Sequence, residues 1–441
     1  MLIAVALWMA GRGPAREIRT FPAGVTEIHS EIVIGAGTDV RGVPGKTVLH
    51  AAADFQGRAI LVAGGDGVTI RDLTIDGNRD TLEVRAGLPD YATPFAHFTR
   101  SNGVLAEGVS RVRISDVTFR AIAGFAVLVS RSRDVAIERV AVTASGSRNP
   151  AGRNNTTGGI LLEEGTADFR VSDCELRDIR GNGIWTHSLY TSPRNARGIL
   201  SGNRLERIGR DALQAGHATA LRIERNRGES IGFPIEDVDA IPVAVDTAGN
   251  VDASEYTGNV FHEIDGKCFD LDGFHDGSVR GNVCINQRGP EAYPYGGYGI
   301  VMNNTNPDMQ SRNVRIEGNL IEGAKFGGVF VIGNDNVVAN NHLLNLNIAH
   351  CNEDAARFGC YYAPGEPGML EAGIYLGKGA ERPAPAKGNR IERNTITGWK
   401  MDKRCVGSSP AIDLRANTVR WNECAQPNKS ALQSLRPPRE R

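Results

Sequence analysis

Along most of the chain a short pattern returns: a small residue, then apolar and outward-facing positions in strict alternation. Thr157-Gly-Gly-Ile-Leu-Leu-Glu163, Gly181-Asn-Gly-Ile-Trp-Thr-His187, Ala240-Ile-Pro-Val-Ala-Val-Asp246, Gly266-Lys-Cys-Phe-Asp-Leu-Asp272 and Gly297-Tyr-Gly-Ile-Val-Met-Asn303 are five instances. A period of two predicts β-strands, because successive side chains leave a strand on opposite faces. On this reading Ile160, Ile184, Leu213, Val243, Phe269, Ile300, Phe330 and Ile374 form one buried stripe. The second outward position of the pattern is then a column running Glu107, Ser130, Glu163, His187, Gly216, Asp246, Asp272, Asn303, Gly333, Gly377 and Arg415.

A second register follows each strand and ends in Gly-Asn or Asp, as in Ile199-Leu-Ser-Gly-Asn203, Ser278-Val-Arg-Gly-Asn282 and Val314-Arg-Ile-Glu-Gly-Asn319. Both Gly and Asn tolerate left-handed backbone angles, so the step reads as a corner. From Ile160 to Phe330 the units recur every 24 to 31 residues. Each unit is too small to bury its own apolar face and must stack on its neighbours. Asn203, Asn226, Asn259, Asn282, Asn319 and Asn341 would then fall at one corner and hydrogen-bond along the stacking axis.

These strand-Gly-Asn-strand units resemble the rungs of the right-handed parallel β-helix in the pectate-lyase-like superfamily. The resemblance implies an all-β, single-stranded parallel solenoid with loop insertions. It divides the chain into residues 1–19 (a truncated secretory signal or an N-terminal cap), a β-helix over 20–425, and a disordered tail over 426–441. It also implies a carbohydrate partner, since the superfamily includes polysaccharide lyases, galacturonase-type hydrolases, alginate epimerases and phage tailspikes. It does not select a reaction, because one fold hosts many.

Composition narrows the field. A formal charge of −1 over 441 residues offers no general surface for a polyanion, so nucleic acid is not expected as a partner. The run Met1-Leu-Ile-Ala-Val-Ala-Leu-Trp-Met-Ala10 is too short to span a bilayer, and no membrane partner is expected. It resembles the end of a secretory signal, which predicts a secreted or periplasmic protein. Seven cysteines, with no Cys-x-x-Cys spacing, leave at least one free thiol unless a bridge forms between chains. Long insertions at 79–100, 288–296, 346–370 and 378–388 carry Tyr91, Phe95, Tyr293 and Tyr361 and are expected to wall a groove.

Chemistry concentrates on the central rungs. Asp246 and Asp272 read as neighbours along the axis, with Asp270 one outward step away on the same strand as Asp272. Carboxylates so close cannot all ionise cheaply, and one is expected to stay protonated as a general acid. Asp246, Asp270, Asp272 and His187 are therefore the candidate catalytic groups. Glu163, Trp185, Gln214, His217, Lys267, His275 and Asn303 are the candidate substrate contacts, with the tryptophan face suited to a sugar ring.

Three activities compete. Two carboxyls at suitable separation suit a glycoside hydrolase. The likeness to galacturonase-type hydrolases with three clustered aspartates favours inversion, although their Asn-Thr-Asp, Asp-Asp, Gly-His-Gly and Arg-Ile-Lys motifs are not reproduced. A uronate lyase or C5-epimerase would need a base, with Lys267, His187, His217, Arg210 or Tyr298 available, and calcium on Asp246, Asp270 and Asp272. The outward columns carry no Lys or Arg before Arg415, so without calcium an acidic patch would repel a polyuronate. A non-catalytic glycan-binding or tailspike-like solenoid is the third. The hydrolase reading needs no cofactor and no metal.

Overall fold

The computed structural model describes residues 17–83, 92–148, 156–234, 241–304, 306–351, 360, 368–378, 382–401 and 405–426. Tyr91, Tyr361, the first sixteen residues and most of the C-terminal tail lie outside this set.

The alternating pattern forms a right-handed parallel β-helix, with every strand in one continuous parallel network. A central turn shows the plan. Gly158–Glu163, Ala167–Ser172 and Glu175–Ile179 are its three strands, and the chain re-enters the first face one level up as Asn182–His187. The same three-faced plan extends from Ile18–Thr20, which pairs with Asp39–Arg41, to Glu423–Ala425, which closes on Thr395–Gly398.

Inward residues of the first face stack into the core. Ile160 pairs with Val127 and Ile184, Ile184 with Leu213, Leu213 with Val245, Val245 with Phe269, Phe269 with Ile300, and Ile300 with Val329. All are fully buried. Two positions of the expected stripe differ. Val243 sits two residues before the true partner of Leu213, and Phe330 points outward while Val329 takes the core position.

The asparagine corner forms as expected and runs further. Asn203, Asn226, Asn259, Asn282, Asn319, Asn341, Asn394 and Asn422 each receive, on Oδ1, the backbone N–H of the residue one level back and, from Asn226 onward, its side-chain amide as well. Each Nδ2 also donates to a backbone carbonyl, such as that of Ile223 for Asn259, at 2.9 Å. The residue before each asparagine is left-handed. It is glycine at Gly258 (φ 65°), but Arg225 adopts the same region (φ 54°) because the ladder on either side holds it there.

Three disulfides join Cys268 to Cys284, Cys351 to Cys360 and Cys405 to Cys424, and Cys174 is a buried free thiol. Among the described residues no helix is long and apolar enough to cross a membrane. Two insertions are anchored on the body of the helix. The four-residue helix Phe95–Phe98 lies over Phe125 and Trp185. Tyr293 is fully buried, its hydroxyl donating to Glu263 (2.6 Å) and its carbonyl accepting from Lys325 (2.9 Å).

Candidate active site

The outward side of the first face carries two columns, and their membership differs from the sequence expectation at one decisive residue. One column runs Glu107, Ser130, Glu163, His187, and continues through Gly216, Ala248, Asp272 and Asn303. The other runs Leu161, Trp185, Gln214, Asp246, Asp270, Val301, Phe330 and Tyr375. Asp246 therefore pairs with Asp270, and Ala248 stands beside Asp272. The cause is a two-residue shift: Val243 and Val245 are equally apolar, so either satisfies the alternation, but Val245 is the residue that stacks on Leu213 and Phe269. Arg415 belongs to neither column and lies in a short 3₁₀ turn.

A concavity of about 280 Å³ opens here, lined by Arg210, Asp211, Gln214, Asp246, Lys267, Asp270 and Asp272 among others. Its floor is a chain of hydrogen bonds along the axis. The Asn182 amide donates to Gln214 Oε1, and Gln214 Nε2 donates to Asp246 Oδ2. Lys267 Nζ donates to Asp270 Oδ2, while the other oxygen of Asp270 is buried with no hydrogen-bond partner among the described residues. Asp246 is 8% exposed. Burial first, then the charges of Asp211 and Asp270, push its pKa well above the usual carboxylate range, against the smaller pull of Arg210 and Gln214. Asp272, by contrast, is only half-buried. Rungs are about 4.8 Å apart and alternate residues about 6.6 Å apart, so Asp246 and Asp272 face each other across a diagonal of about 8 Å.

The remaining expected residues divide. Gln214 and Lys267 line the concavity with the aspartates, and Asn303 lies directly beyond Asp272. Glu163 is fully buried, with its two oxygens accepting the N–H groups of Phe95 (2.9 Å) and Ala96 (2.8 Å), and burial raises its pKa to about 7. It is thus an anchor for the helix above it and not a substrate contact. Trp185 is 7% exposed beneath Phe95, 5.1 Å between ring centroids, so its face is not offered to a sugar. His187 packs edge-on to Phe95 and Trp185, and burial, then His217, lower its pKa to about 4. Gly216 and Ala248 separate it from Asp272, and it does not reach the aspartates. His275 is buried at the far end of its strand, between Asp276 (2.7 Å) and Asn250 (3.1 Å), and does not line the concavity.

His217 stands at the edge of the same face, its ring 4.8 Å from that of Tyr190. Tyr190, 52% exposed, escaped the sequence reading because a single aromatic in a loop carries no periodic signal. Its hydroxyl passes so close to Gly249 that an added Cβ there would lie 2.6 Å from it.

The donor set suits calcium poorly. Asp246 is desolvated and favours its protonated form, and Asp270 is held by an ammonium, whereas calcium takes six to eight oxygen ligands. Glu163, Glu164 and His187 bring ligand atoms within 4.8 Å of one another, but both carboxylates are engaged by backbone N–H groups, Glu164 by that of Leu189.

Residues 58–236 match the family model described as the right handed beta helix region. No curated protein sequence matches the chain. Among solved structures, the surface adhesin PfbA of Streptococcus pneumoniae is similar with a TM-score of 0.59 at 15% identity, over 76% of this chain and 85% of the adhesin. The GH136 lacto-N-biosidase of Eubacterium ramulus gives 0.53 at 12%, over 91% of this chain and 67% of the enzyme. The catalytic domain of a GH87 α-1,3-glucanase, solved in complex with nigerose, gives 0.52 at 13%, over 91% and 64%. Identities this low speak for the fold alone. The chain therefore has the right-handed parallel β-helix fold, and no subfamily within that fold is singled out.

Proposed function

We propose that this protein is a glycoside hydrolase acting with inversion on a poly- or oligosaccharide. One observation carries the reading: a desolvated, proton-retaining carboxyl, Asp246, lines an open concavity one diagonal from the more accessible Asp272. Inverting enzymes place their two carboxyls roughly 6.5–9.5 Å apart to admit a water, and the diagonal of about 8 Å falls in that range. Asp246 donates its proton to the glycosidic oxygen as the bond to the anomeric carbon breaks. Asp272 takes a proton from the water that attacks the opposite face of that carbon. Asp270, held by Lys267, keeps negative charge beside Asp246 and so holds its proton in place until the leaving oxygen develops charge. Arg210, Gln214 and Asn303 supply donors for sugar hydroxyls, and Tyr190 with His217 forms the rim platform that Trp185 does not provide. The three disulfides suit an oxidising compartment, in keeping with an exported protein. Two glycosidases of similar fold accord with the substrate class.

A second reading has one observation in its favour. Arg210 and Lys267 line the concavity, so the acids are partly compensated and a uronate would not be repelled as the outward columns suggested. A lyase or epimerase could use that charge. Product mass after incubation with a panel of neutral and acidic polysaccharides separates the readings. Hydrolysis adds water at each cut, elimination cuts without it, and epimerisation leaves mass unchanged. Cutting without gain of water refutes the hydrolase.

A further inference from the structure

Another face of the helix, built by Arg204–Ile208, Arg227–Ile231 and Val260–Ile264, holds a concavity of about 540 Å³ lined by Arg204, Glu206, Arg227, Glu229, Val260 and His262. We infer that it is a second binding site, for an anionic oligosaccharide bearing carboxylate or sulfate groups.

The argument rests on how this protein treats its other arginines. The motif Arg-x-Glu recurs on its strands, and in Arg222-Ile-Glu224 and Arg315-Ile-Glu317 the two side chains close an ion pair at 2.6 and 2.7 Å. Arg390-Ile-Glu392 does the same. Elsewhere guanidinium groups reach across rungs, as Arg139 to Asp116 and Arg197 to Asp168. Arg204-Leu-Glu206 and Arg227-Gly-Glu229 carry the motif without the pairing. Glu206 is engaged instead by Arg207 (2.9 Å) and Arg177 (3.3 Å). Among the described residues neither Arg204 nor Arg227 has an ion-pair or side-chain hydrogen-bond partner. The two are direct partners on adjacent rungs, so their guanidinium groups emerge about 4.8 Å apart at the base. Two such forks side by side match the oxygens of a carboxylate or sulfate and bind it in bidentate fashion.

The rest of the lining suits a sugar. Beyond Arg227 the same column turns apolar, through Val260, Val283 and Leu320, a strip for the C–H face of a pyranose ring. Glu229 and His262, partners in the parallel column, face the same hollow and can bond hydroxyls. With Glu206 neutralised, the two arginines outweigh the single charge of Glu229 within the lining, on a chain whose total charge is −1, while Glu175 borders Arg204 on the rung before.

Calorimetric titration of the full chain with trigalacturonate, a sulfated trisaccharide and neutral maltotriose tests this site. The expected result is binding of at least one anionic probe, weakened about tenfold or more in Arg204→Gln/Arg227→Gln and unchanged in Arg315→Gln, whose guanidinium is closed on Glu317 outside this hollow, with maltotriose much weaker. Which anionic probe wins tells carboxylate from sulfate. Val260→Glu, which removes no guanidinium, is expected to weaken binding as well, and thermal unfolding checks that these exposed changes leave the fold intact. No binding of either anionic probe, binding that survives the double substitution, or equal binding of maltotriose would overturn the site.

Discussion

Replacing Asn259 by alanine removes a side chain that is fully buried in the ladder and joins three rungs. Its Oδ1 accepts from the backbone N–H (3.0 Å) and the amide (2.9 Å) of Asn226, and its Nδ2 donates to Ile223 O and Asn282 Oδ1, both at 2.9 Å. Without it, the Asn226 N–H, the Asn226 amide and the Ile223 carbonyl lose partners in a site closed to solvent. At roughly 1–3 kcal/mol for each orphaned group, the expected loss is about 3–9 kcal/mol. Asn422 makes the same bonds, to the Asn394 N–H and amide and to Ile391 O, but stands half-buried at the terminal rung where water can replace them. Asn422→Ala is therefore expected to cost under about 1 kcal/mol, as for a surface hydrogen bond. Urea unfolding followed by circular dichroism measures both. Equal losses in the two variants would show that the ladder works by shape or propensity, and that exclusion of water from the corner is not what makes it strong.

Further outcomes follow from the buried ionisable groups. Glu163 has a folded pKa of about 7, above its usual 4.5, so its stabilising contribution is complete below pH 4.5 and is lost as pH rises through 7. Glu163→Gln lacks that loss, and its stability relative to wild type should improve by about 3 kcal/mol between pH 4.5 and 8, read by denaturant midpoints; a constant difference would place the carboxylate in solvent. Lys267→Met removes the cation that pairs with Asp270 and leaves its charge facing Asp246, so the alkaline limb of the pH–rate profile should move up; a downward move would remove Asp270 from the control of Asp246. Cys174, buried with a thiol pushed up to about 12, should resist iodoacetamide in the native protein and yield one labelled cysteine after unfolding without reductant; a second labelled cysteine would mean that one of the disulfides is open.

What the sequence revealed, and where it fell silent, has a physical basis. A period of two is a strong signal, and it located the strands, the core stripe and six members of the asparagine ladder. It is blind to a slip of two, which keeps every side chain on its proper face, and this is how Asp246 was set beside Asp272 when it pairs with Asp270. It fails too where apolar residues run unbroken: Val329, Phe330, Val331 and Ile332 offer no contrast, and only packing decides that Phe330 faces out. The burial of Glu163 and Trp185 came from neither cause. It depends on a loop inserted 68 residues before Glu163, whose Phe95 folds back over both, and no strand pattern carries that contact.

The division of labour between Asp246 and Asp272 is tested most directly by turnover of two substrates of the same sugar, the natural glycan and an aryl glycoside whose leaving group needs no proton. Asp246→Asn is expected to lose about 10²–10⁴-fold on the glycan while retaining most activity on the aryl glycoside, and Asp272→Asn to lose both. Undiminished cleavage of the glycan by Asp246→Asn would contradict the assignment of that residue as the acid.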